Sequence, residues 1–169
     1  GHMAGSLAYE AHTPEEAAAY VEKIAKTKPD LIKLMITGGV LDAEVVGEPG
    51  VLRMPPELVR AAAERAHAFG MKVAAHVESP EGVMVALQNG VDSIEHGAQP
   101  SEEMLHLFRE CGAFQISTIS PALPYALFDR AVSHATYEQQ ENGKVVFEGI
   151  VALAKACLAA GIPVGLGTD

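Results

Sequence analysis

The chain has 169 residues, of which 49% are hydrophobic and 20% are charged, and its formal net charge at pH 7 is -10. This length suits one domain with a sizeable core, whereas a complete eight-stranded βα barrel needs about 250 residues. The composition is that of a globular protein and excludes a disordered chain. The negative charge excludes nucleic acid and anionic membrane surfaces as favourable partners, because both repel it.

The first residues, Gly1-His2-Met3, resemble a tag-cleavage remnant. We therefore assign residues 1–6 to a tag remnant and linker and residues 7–169 to one domain, and His2 is left out of the candidate site. The 169 residues contain neither an apolar run near the length of a membrane span nor a charged-then-apolar stretch typical of a signal peptide. Cys111 and Cys157 lack metal-ligand spacing, which predicts buried reduced thiols and a cytoplasmic location.

Helices and strands alternate along the chain. The sequence from Thr13 to Glu16 supplies an N-cap, a proline in the first turn and a capping carboxylate for a helix that ends near Lys26. Proline starts and glycine stops predict later helices near residues 55–69, 80–89, 101–110 and 138–160. Short apolar runs predict strands at residues 31–37, 72–77, 92–96, 114–119 and 163–168. Long irregular loops are expected at residues 40–54 and 120–134, and such loops often carry function.

This alternation predicts an α/β fold with about five parallel strands, either doubly wound or curved as part of a barrel. His76, His96 and Thr118 each follow a helix-ending glycine by six residues, which places them at equivalent strand ends. Functional groups collect at the carboxyl ends of barrel strands. The fold expected is therefore a partial (β/α)8 TIM barrel.

Four polar residues in these strands form the candidate site: Lys33, His76, His96 and Asp169. Successive side chains of a strand point to opposite faces, so each polar residue is assigned to the barrel interior with its alternating neighbours. Those neighbours include the small residues Ala74, Gly165 and Gly167, which are expected to leave room for a cation and a substrate.

Lys33 is the unusual member, since burying an ammonium group among isoleucine and leucine costs several kcal/mol unless it is paired or neutralised. A neutral amine there could form a Schiff base, carry a proton, or react with carbon dioxide to give a carbamate. The carbamate could bridge two divalent metals, with His76 and His96 as ligands suited to Zn²⁺ and Asp169 as a further ligand and proton acceptor.

Each residue taken singly also fits a structural role, such as a hydrogen-bonded histidine, a lysine that reaches solvent, or a helix-capping carboxylate. Two other functions therefore stay open beside a metal hydrolase. One is a non-catalytic βα module that binds a small ligand, and the other is a Schiff-base enzyme that uses Lys33. The four residues together favour the metal hydrolase.

Four segments resemble the amidohydrolase superfamily, and most closely its imidazolonepropionase-like and prolidase-like branch. Residues 30–39 (DLIKLMITGG) resemble the fourth barrel strand with its carboxylated lysine, and residues 73–76 (VAAH) resemble the histidine segment of the fifth. Residues 90–97 (GVDSIEHG) are similar to the sixth-strand histidine segment, and residues 165–169 (GLGTD) to the eighth-strand aspartate segment. The resemblance implies that the chain covers barrel strands 4 to 8.

The resemblance also implies a binuclear zinc-type centre. Lys33 would be the carbamate bridge, His76 and His96 would bind one metal, and Asp169 would bind the other and act as the catalytic base. A metal-bound hydroxide would attack the carbonyl of an amide, dipeptide or cyclic amide, and Asp169 would pass its proton to the leaving nitrogen. The expected partner is a small-molecule amide or dipeptide, with candidate substrate contacts at Tyr125, His134 and Tyr137.

The sequence departs from the superfamily because no His-x-His pair occurs in it, and that pair would supply two metal ligands from the first strand. Neither the first three strands nor a β-sandwich domain has a counterpart here. We therefore expect a fragment with impaired activity. Its open barrel edges are expected to favour a homo-oligomer or a domain-swapped assembly.

Overall fold

The computed structural model describes residues 7–169, so the assigned tag remnant and linker, residues 1–6 with His2, lie outside the described residues. Within residues 7–169 the elements follow in the order α1 (Pro14–Ala25), β1 (Leu31–Met35), α2 (Pro56–Ala68), β2 (Lys72–Val77), α3 (Pro80–Gln88), β3 (Ser93–His96), α4 (Glu102–Cys111), β4 (Phe114–Ser117), α5 (Ile119–Leu127), α6 (Arg130–Ser133), α7 (Tyr137–Ala159) and β5 (Val164–Leu166). The five predicted strands and the five predicted helices are all found, with ends shifted by a few residues.

The five strands form one parallel sheet in the order β1-β2-β3-β4-β5. Each strand pairs with the strand that precedes it in the chain, so the strand order never reverses. A doubly wound sheet has such a reversal, at which its ligand site lies, whereas a βα barrel does not. The strand order confirms the prediction of a partial TIM barrel.

One face of the sheet packs against helices and forms the main core. Ile32, Val73, Ala75 and Ile94 alternate along the strands and are buried in the same cluster as apolar side chains of α2, α3 and α4. Phe108 of α4 is fully buried there. Burying a side chain of that size contributes about 1.5–3 kcal/mol. The other face of the sheet forms the barrel interior.

Several helices begin with a side-chain cap. The hydroxyl groups of Thr13, Ser79, Ser101 and Thr136 accept hydrogen bonds from backbone N–H groups in the first turn of the helix that follows. Each such cap typically stabilises a helix by about 1 kcal/mol. Each of these caps fixes the residue at which its helix begins.

The prediction of an irregular segment at residues 120–134 is wrong, because α5 and α6 occupy most of it. Pro121 lies in the first turn of α5, where its missing N–H group costs no intrahelical hydrogen bond. Pro124 lies further inside and removes one bond, but α5 packs closely against α7, where the Tyr125 side chain fills the space beside Gly143. Tertiary packing outweighs the local cost of proline.

The predicted long loop at residues 40–54 is confirmed. It contains no helix, and its only strand-like pairing is a single antiparallel bridge between Thr37 and Leu52. The Gly47 N–H group donates to the Asn142 side-chain oxygen over 2.6 Å, which ties the loop to α7. The loop therefore folds over the carboxyl end of the sheet.

Both cysteines are free thiols, as predicted. Cys157 is buried, but Cys111 is exposed, which corrects the expectation that both would be buried. The reason is that Cys111 is the last residue of α4, where the helix ends between the exposed residues Glu110 and Gly112. None of the helices within residues 7–169 combines the length and the hydrophobicity needed to cross a bilayer.

We predict that Gly97→Ala destabilises the protein by about 2–4 kcal/mol, which urea unfolding would measure. Gly97 has a φ of +102°, and an added Cβ would overlap the fully buried Leu153 side chain. Gly112→Ala is the matched control. It also has a positive φ, of +66°, but an added Cβ would meet nothing within 4 Å, so a loss of only about 1 kcal/mol is expected. Equal losses in the two variants would contradict this account.

Candidate metal centre

A cavity of about 500 Å³ opens at the carboxyl ends of the strands. All four residues of the predicted site line it, and so do side chains from the loop at residues 40–54, from α5 and from α7. The polar residues at the cavity wall include Lys33, Asp42, His76, Glu78, His96, Thr118 and Asp169. The apolar part comes from Met35, Ala122, Val146 and Ile150.

The two histidines meet in this cavity. The ring centroids of His76 and His96 lie 4.6 Å apart, with the rings inclined at 72° in an edge-to-face arrangement. His76 is half-buried and His96 is 4% exposed. Both histidines lie near the carboxyl ends of adjacent strands, as predicted, but the sheet register offsets them by one residue.

The alternation of side chains along β3 does not explain why the His96 side chain points into the cavity. The sheet register pairs His76 with Glu95 and Val77 with His96, so alternation places Glu95 on the interior face. The expectation that His96 reaches the interior by alternation is therefore wrong. His96 instead has a left-handed backbone, with a φ of +67°, which turns its side chain at the end of β3.

Two neighbours hold this backbone and its ring. The buried Gln115 amide donates to the His96 carbonyl over 2.7 Å and to the Ile150 carbonyl over 3.3 Å. Thr118 Oγ1 lies 2.5 Å from His96 Nδ1, which leaves Nε2 as the nitrogen available to a ligand. Metal-binding histidines are usually oriented by such a second hydrogen bond. Sequence spacing had located Thr118 at an equivalent strand end without assigning it a role.

Both imidazoles are held in the neutral form. Burial lowers the pKa of His96 to about 3, and the nearby His76 and Lys33 add to the effect. Burial also lowers the pKa of His76, against the opposing effect of its hydrogen bond to the Gly38 carbonyl, 3.3 Å from Nε2. A neutral imidazole is the form that binds a metal ion.

Lys33 projects from the middle of β1 into the interior and is exposed, which corrects the expectation of a fully buried ammonium. The reason is that the interior face of this five-stranded sheet opens to solvent within the described residues. Nearby protein atoms still exclude enough water to lower the pKa of Lys33, and the negative charges of Glu95 and Asp169 partly offset that effect.

Asp169 lies beyond β5, has a φ of +65°, and lines the cavity on its exposed side. The glycines on the same face do not leave the predicted space for a cation. A Cβ at Gly165 would lie 2.5 Å from Ile116 Cδ1, and a Cβ at Gly167 would lie 2.7 Å from Ile116 Cγ2. Ile116 already fills the volume beside both glycines, so the open space lies further toward β1 and β2.

Glu78 is a site residue that the sequence analysis missed. It follows His76 by two residues, and its side chain lines the cavity beside the histidine. Burial raises the pKa of Glu78 to about 8, and the negative charges of Asp169 and Asp42 raise it further, against a hydrogen bond from the Val40 backbone. The alternation of side chains past the end of β2 was the signal that could have found it.

The three candidate substrate contacts are placed differently. Tyr125 of α5 lines the cavity. His134 follows α6 and Tyr137 begins α7, and both are exposed and lie outside the cavity lining. Contact with a substrate by these two residues stays a prediction, and it would require a substrate that extends over α6.

The residues present fit a divalent cation. Donor atoms of His76, Glu78 and His96 all lie within 4.8 Å of one another. Glu78 Oε2 is buried and has no hydrogen-bond partner, so one oxygen in this group lacks any compensating contact. Two neutral imidazoles and a carboxylate are ligands that Zn²⁺ accepts readily.

A parallel sheet in sequential strand order, with two histidines and carboxylates at its carboxyl ends and a lysine on its interior face, is typical of the class of βα-barrel proteins whose site lies at that end of the barrel. Within this class the chain belongs to the amidohydrolase family, whose sequence profile matches residues 2–169.

Known relatives agree with this assignment. The crystal structure of a candidate prolidase from Bifidobacterium longum is 38% identical and superposes with a TM-score of 0.88, over 100% of this chain and 42% of that one. A Xaa-Pro dipeptidase solved with bound methionine in its active site is 28% identical, with a TM-score of 0.81, over 99% of this chain and 43% of that one. The ochratoxinase of Aspergillus niger is 26% identical over 92% of this chain. The chain spans about a third of that curated relative, 32% of its length.

We predict that Glu78→Gln stabilises the metal-free protein at pH 8. Between about pH 4.5 and 8 the folded protein keeps a proton on Glu78 that the unfolded chain releases, so stability falls as pH rises through this range. Glutamine cannot ionise, and the gain at pH 8 is expected on the order of 3 kcal/mol, shrinking toward pH 4.5.

Urea unfolding in the presence of a chelator, at several pH values, measures this difference. Glu95→Gln makes the same chemical change one strand away and should keep the pH dependence of the wild type. A Glu78→Gln protein with the same pH dependence as the wild type would contradict the buried, unpaired state of this carboxyl group.

Proposed function

We propose that this chain is part of a metal-dependent amidohydrolase that cleaves the C–N bond of a small amide, dipeptide or cyclic amide. The convergence of two neutral imidazoles at adjacent strand ends, with ring centroids 4.6 Å apart, carries this proposal. A histidine with a purely structural role needs only a hydrogen-bond partner and not a second imidazole beside it. Binding of one shared cation would explain why the two rings lie together.

His76 and His96 would hold the cation, and Lys33 and Asp169 would complete the set. When bound, the cation acidifies water and polarises the scissile carbonyl. Asp169 lies on the open side of the cavity, where its carboxylate can accept a proton from water and return it to the leaving nitrogen. Thr118 would keep the His96 ring in one orientation throughout.

Lys33 would carry the carbamate formed with carbon dioxide. Only the neutral amine reacts, and the lowered pKa of Lys33 increases the neutral fraction at a given pH. The carbamate oxygens would add a negative ligand to the cation. The metal expected from two imidazoles and carboxylates is Zn²⁺.

The cavity favours a small substrate with an apolar part. Its volume of about 500 Å³ lies within the usual range of small-molecule sites, and its wall carries Met35, Ala122, Val146 and Ile150. The prolidase, Xaa-Pro dipeptidase and ochratoxinase names of the relatives support an amide or dipeptide substrate. Tyr125 would contact its carbonyl or carboxylate from α5.

The absence of a His-x-His pair from the 169 residues implies weak turnover by this chain alone. A cytoplasmic location stays a prediction that the two free thiols support. A binding module without catalysis would keep the cavity but need no tight zinc, so metal content separates the two functions.

The test is metal content by inductively coupled plasma mass spectrometry, on protein purified without chelators and freed of residues 1–3. Wild type is expected to retain zinc, and His76→Ala is expected to lose most of it. His106→Ala, which changes an exposed histidine on α4, is the matched control and should keep the wild-type zinc content. Equal zinc in wild type and His76→Ala, or none in either, would overturn the proposal.

We also propose that the chain self-associates through its sheet edges. The outer edges of β1 and β5 pair with no further strand among the described residues, and Leu166 at one of them is 92% exposed. Unpaired parallel edges and exposed apolar side chains promote association. Light scattering at micromolar concentration is expected to show a dimer or larger species. A monomer that binds no hydrophobic dye would contradict this.

A further inference from the structure

Contacts with neighbouring segments hold Glu78 in a fixed position. Its backbone N–H group donates to Thr37 Oγ1 over 3.0 Å, and Thr37 is fully buried. The loop at residues 40–54 passes so closely over the Glu78 backbone that a Cβ at Gly50 would overlap it. A Cβ at Gly39 would lie 2.9 Å from Glu78 Oε2. The carboxylate is therefore held between β1, β2 and this loop, unlike a mobile surface side chain.

The same carboxylate lacks a positive partner. Its Oε2 atom is buried without a hydrogen bond, while the Val40 backbone supplies a hydrogen bond to the carboxylate group. The charged side chains that act on it, Asp42 and Asp169, are both negative. A buried carboxylate needs a proton or a cation to offset its desolvation. The described residues supply it with neither an ammonium nor a guanidinium group.

The position of Glu78 relative to the histidines suits a cation. Its oxygen and one nitrogen from each of His76 and His96 lie within 4.8 Å of one another. Ligands of one zinc ion, at about 2.0–2.1 Å from the metal, lie about 3.3 Å apart in a tetrahedral arrangement. Side-chain movements of about 1 Å would bring the three donor atoms from within 4.8 Å of one another to this spacing around the ion.

We propose that Glu78 is a direct metal ligand, which completes a three-residue site with His76 and His96 inside this chain. The proposal rests on the proposed function for the presence of the cation and adds the ligand that holds it. Two histidines and one glutamate form a ligand set that is known for catalytic zinc ions. The Lys33 carbamate of the proposed function would add to these three ligands.

Asp169 is not needed for this three-residue site. Its carboxylate is exposed and does not belong to the group of donor atoms within 4.8 Å. Its place on the open side of the cavity suits proton transfer and a ligand role outside the three-residue site. Glu78 therefore supplies the anionic ligand nearest to the two imidazoles in the described chain.

The test is zinc affinity, measured by competition with a chromophoric chelator on protein freed of residues 1–3. Glu78→Gln is expected to weaken zinc binding by at least about tenfold, because a neutral amide replaces an anionic ligand. Glu95→Gln is the matched control. It removes the same charge from the adjacent strand, where Glu95 accepts a hydrogen bond from Ser93, and it should change the affinity by less than about threefold.

A second measurement separates loss of a ligand from loss of fold. Cobalt added to the wild type is expected to give visible absorption bands that Glu78→Gln weakens and shifts, while the circular dichroism spectrum stays unchanged. Zinc binding that depends on His76 but is the same in Glu78→Gln would overturn the role of Glu78 and leave the proposed function standing. Wild-type protein whose zinc affinity equals that of His76→Ala would overturn both.

Discussion

The candidate site depends on how the Gln115 side chain holds the backbone of His96. That amide is fully buried, and it donates to the carbonyl groups of His96 and Ile150, so it joins the end of β3 to α7. The left-handed turn at His96 and Gly97 costs conformational energy, which these contacts offset. With an extended backbone, the His96 side chain would point toward the helices, and the two imidazoles would not meet. The orientation of the His96 side chain thus depends on Gln115 and, through Gln115, on the position of α7.

Charge compensation sets the chemistry of the cavity. Asp42, Glu78 and Asp169 approach one another around two neutral imidazoles, and Lys33 interacts with Asp169 and Glu95. A cavity with this excess of carboxylates attracts cations. When no cation is present, it favours the protonated form of Glu78. Binding a divalent ion would replace that proton. The same feature that destabilises the metal-free protein would therefore favour the metal-bound one.

The alternation of helices and strands and the repeated spacing from helix-ending glycine to strand end were enough to predict the parallel sheet and the strand-end positions of His76 and His96, and the polar residues on the strands favoured the barrel. It could not predict how His96 turns, because that conformation depends on Gln115 and α7, which are distant in sequence. Glu78 was missed because it follows β2, where no apolar run marks the alternation. The helix α5 was missed because Pro121 and Pro124 suggest a loop, and only packing against Gly143 of α7 shows why the helix forms.

We propose that side chains of this chain alone bind a metal ion through two imidazoles and a carboxylate. X-ray absorption at the zinc edge of the zinc-loaded protein tests it most directly. We expect the multiple-scattering signal to show two imidazole rings bound to the zinc ion. All atoms bound directly to the zinc ion should be nitrogen or oxygen, at about 2.0–2.2 Å. A zinc ion surrounded by oxygen only, or a sulfur ligand at about 2.3 Å, would contradict it.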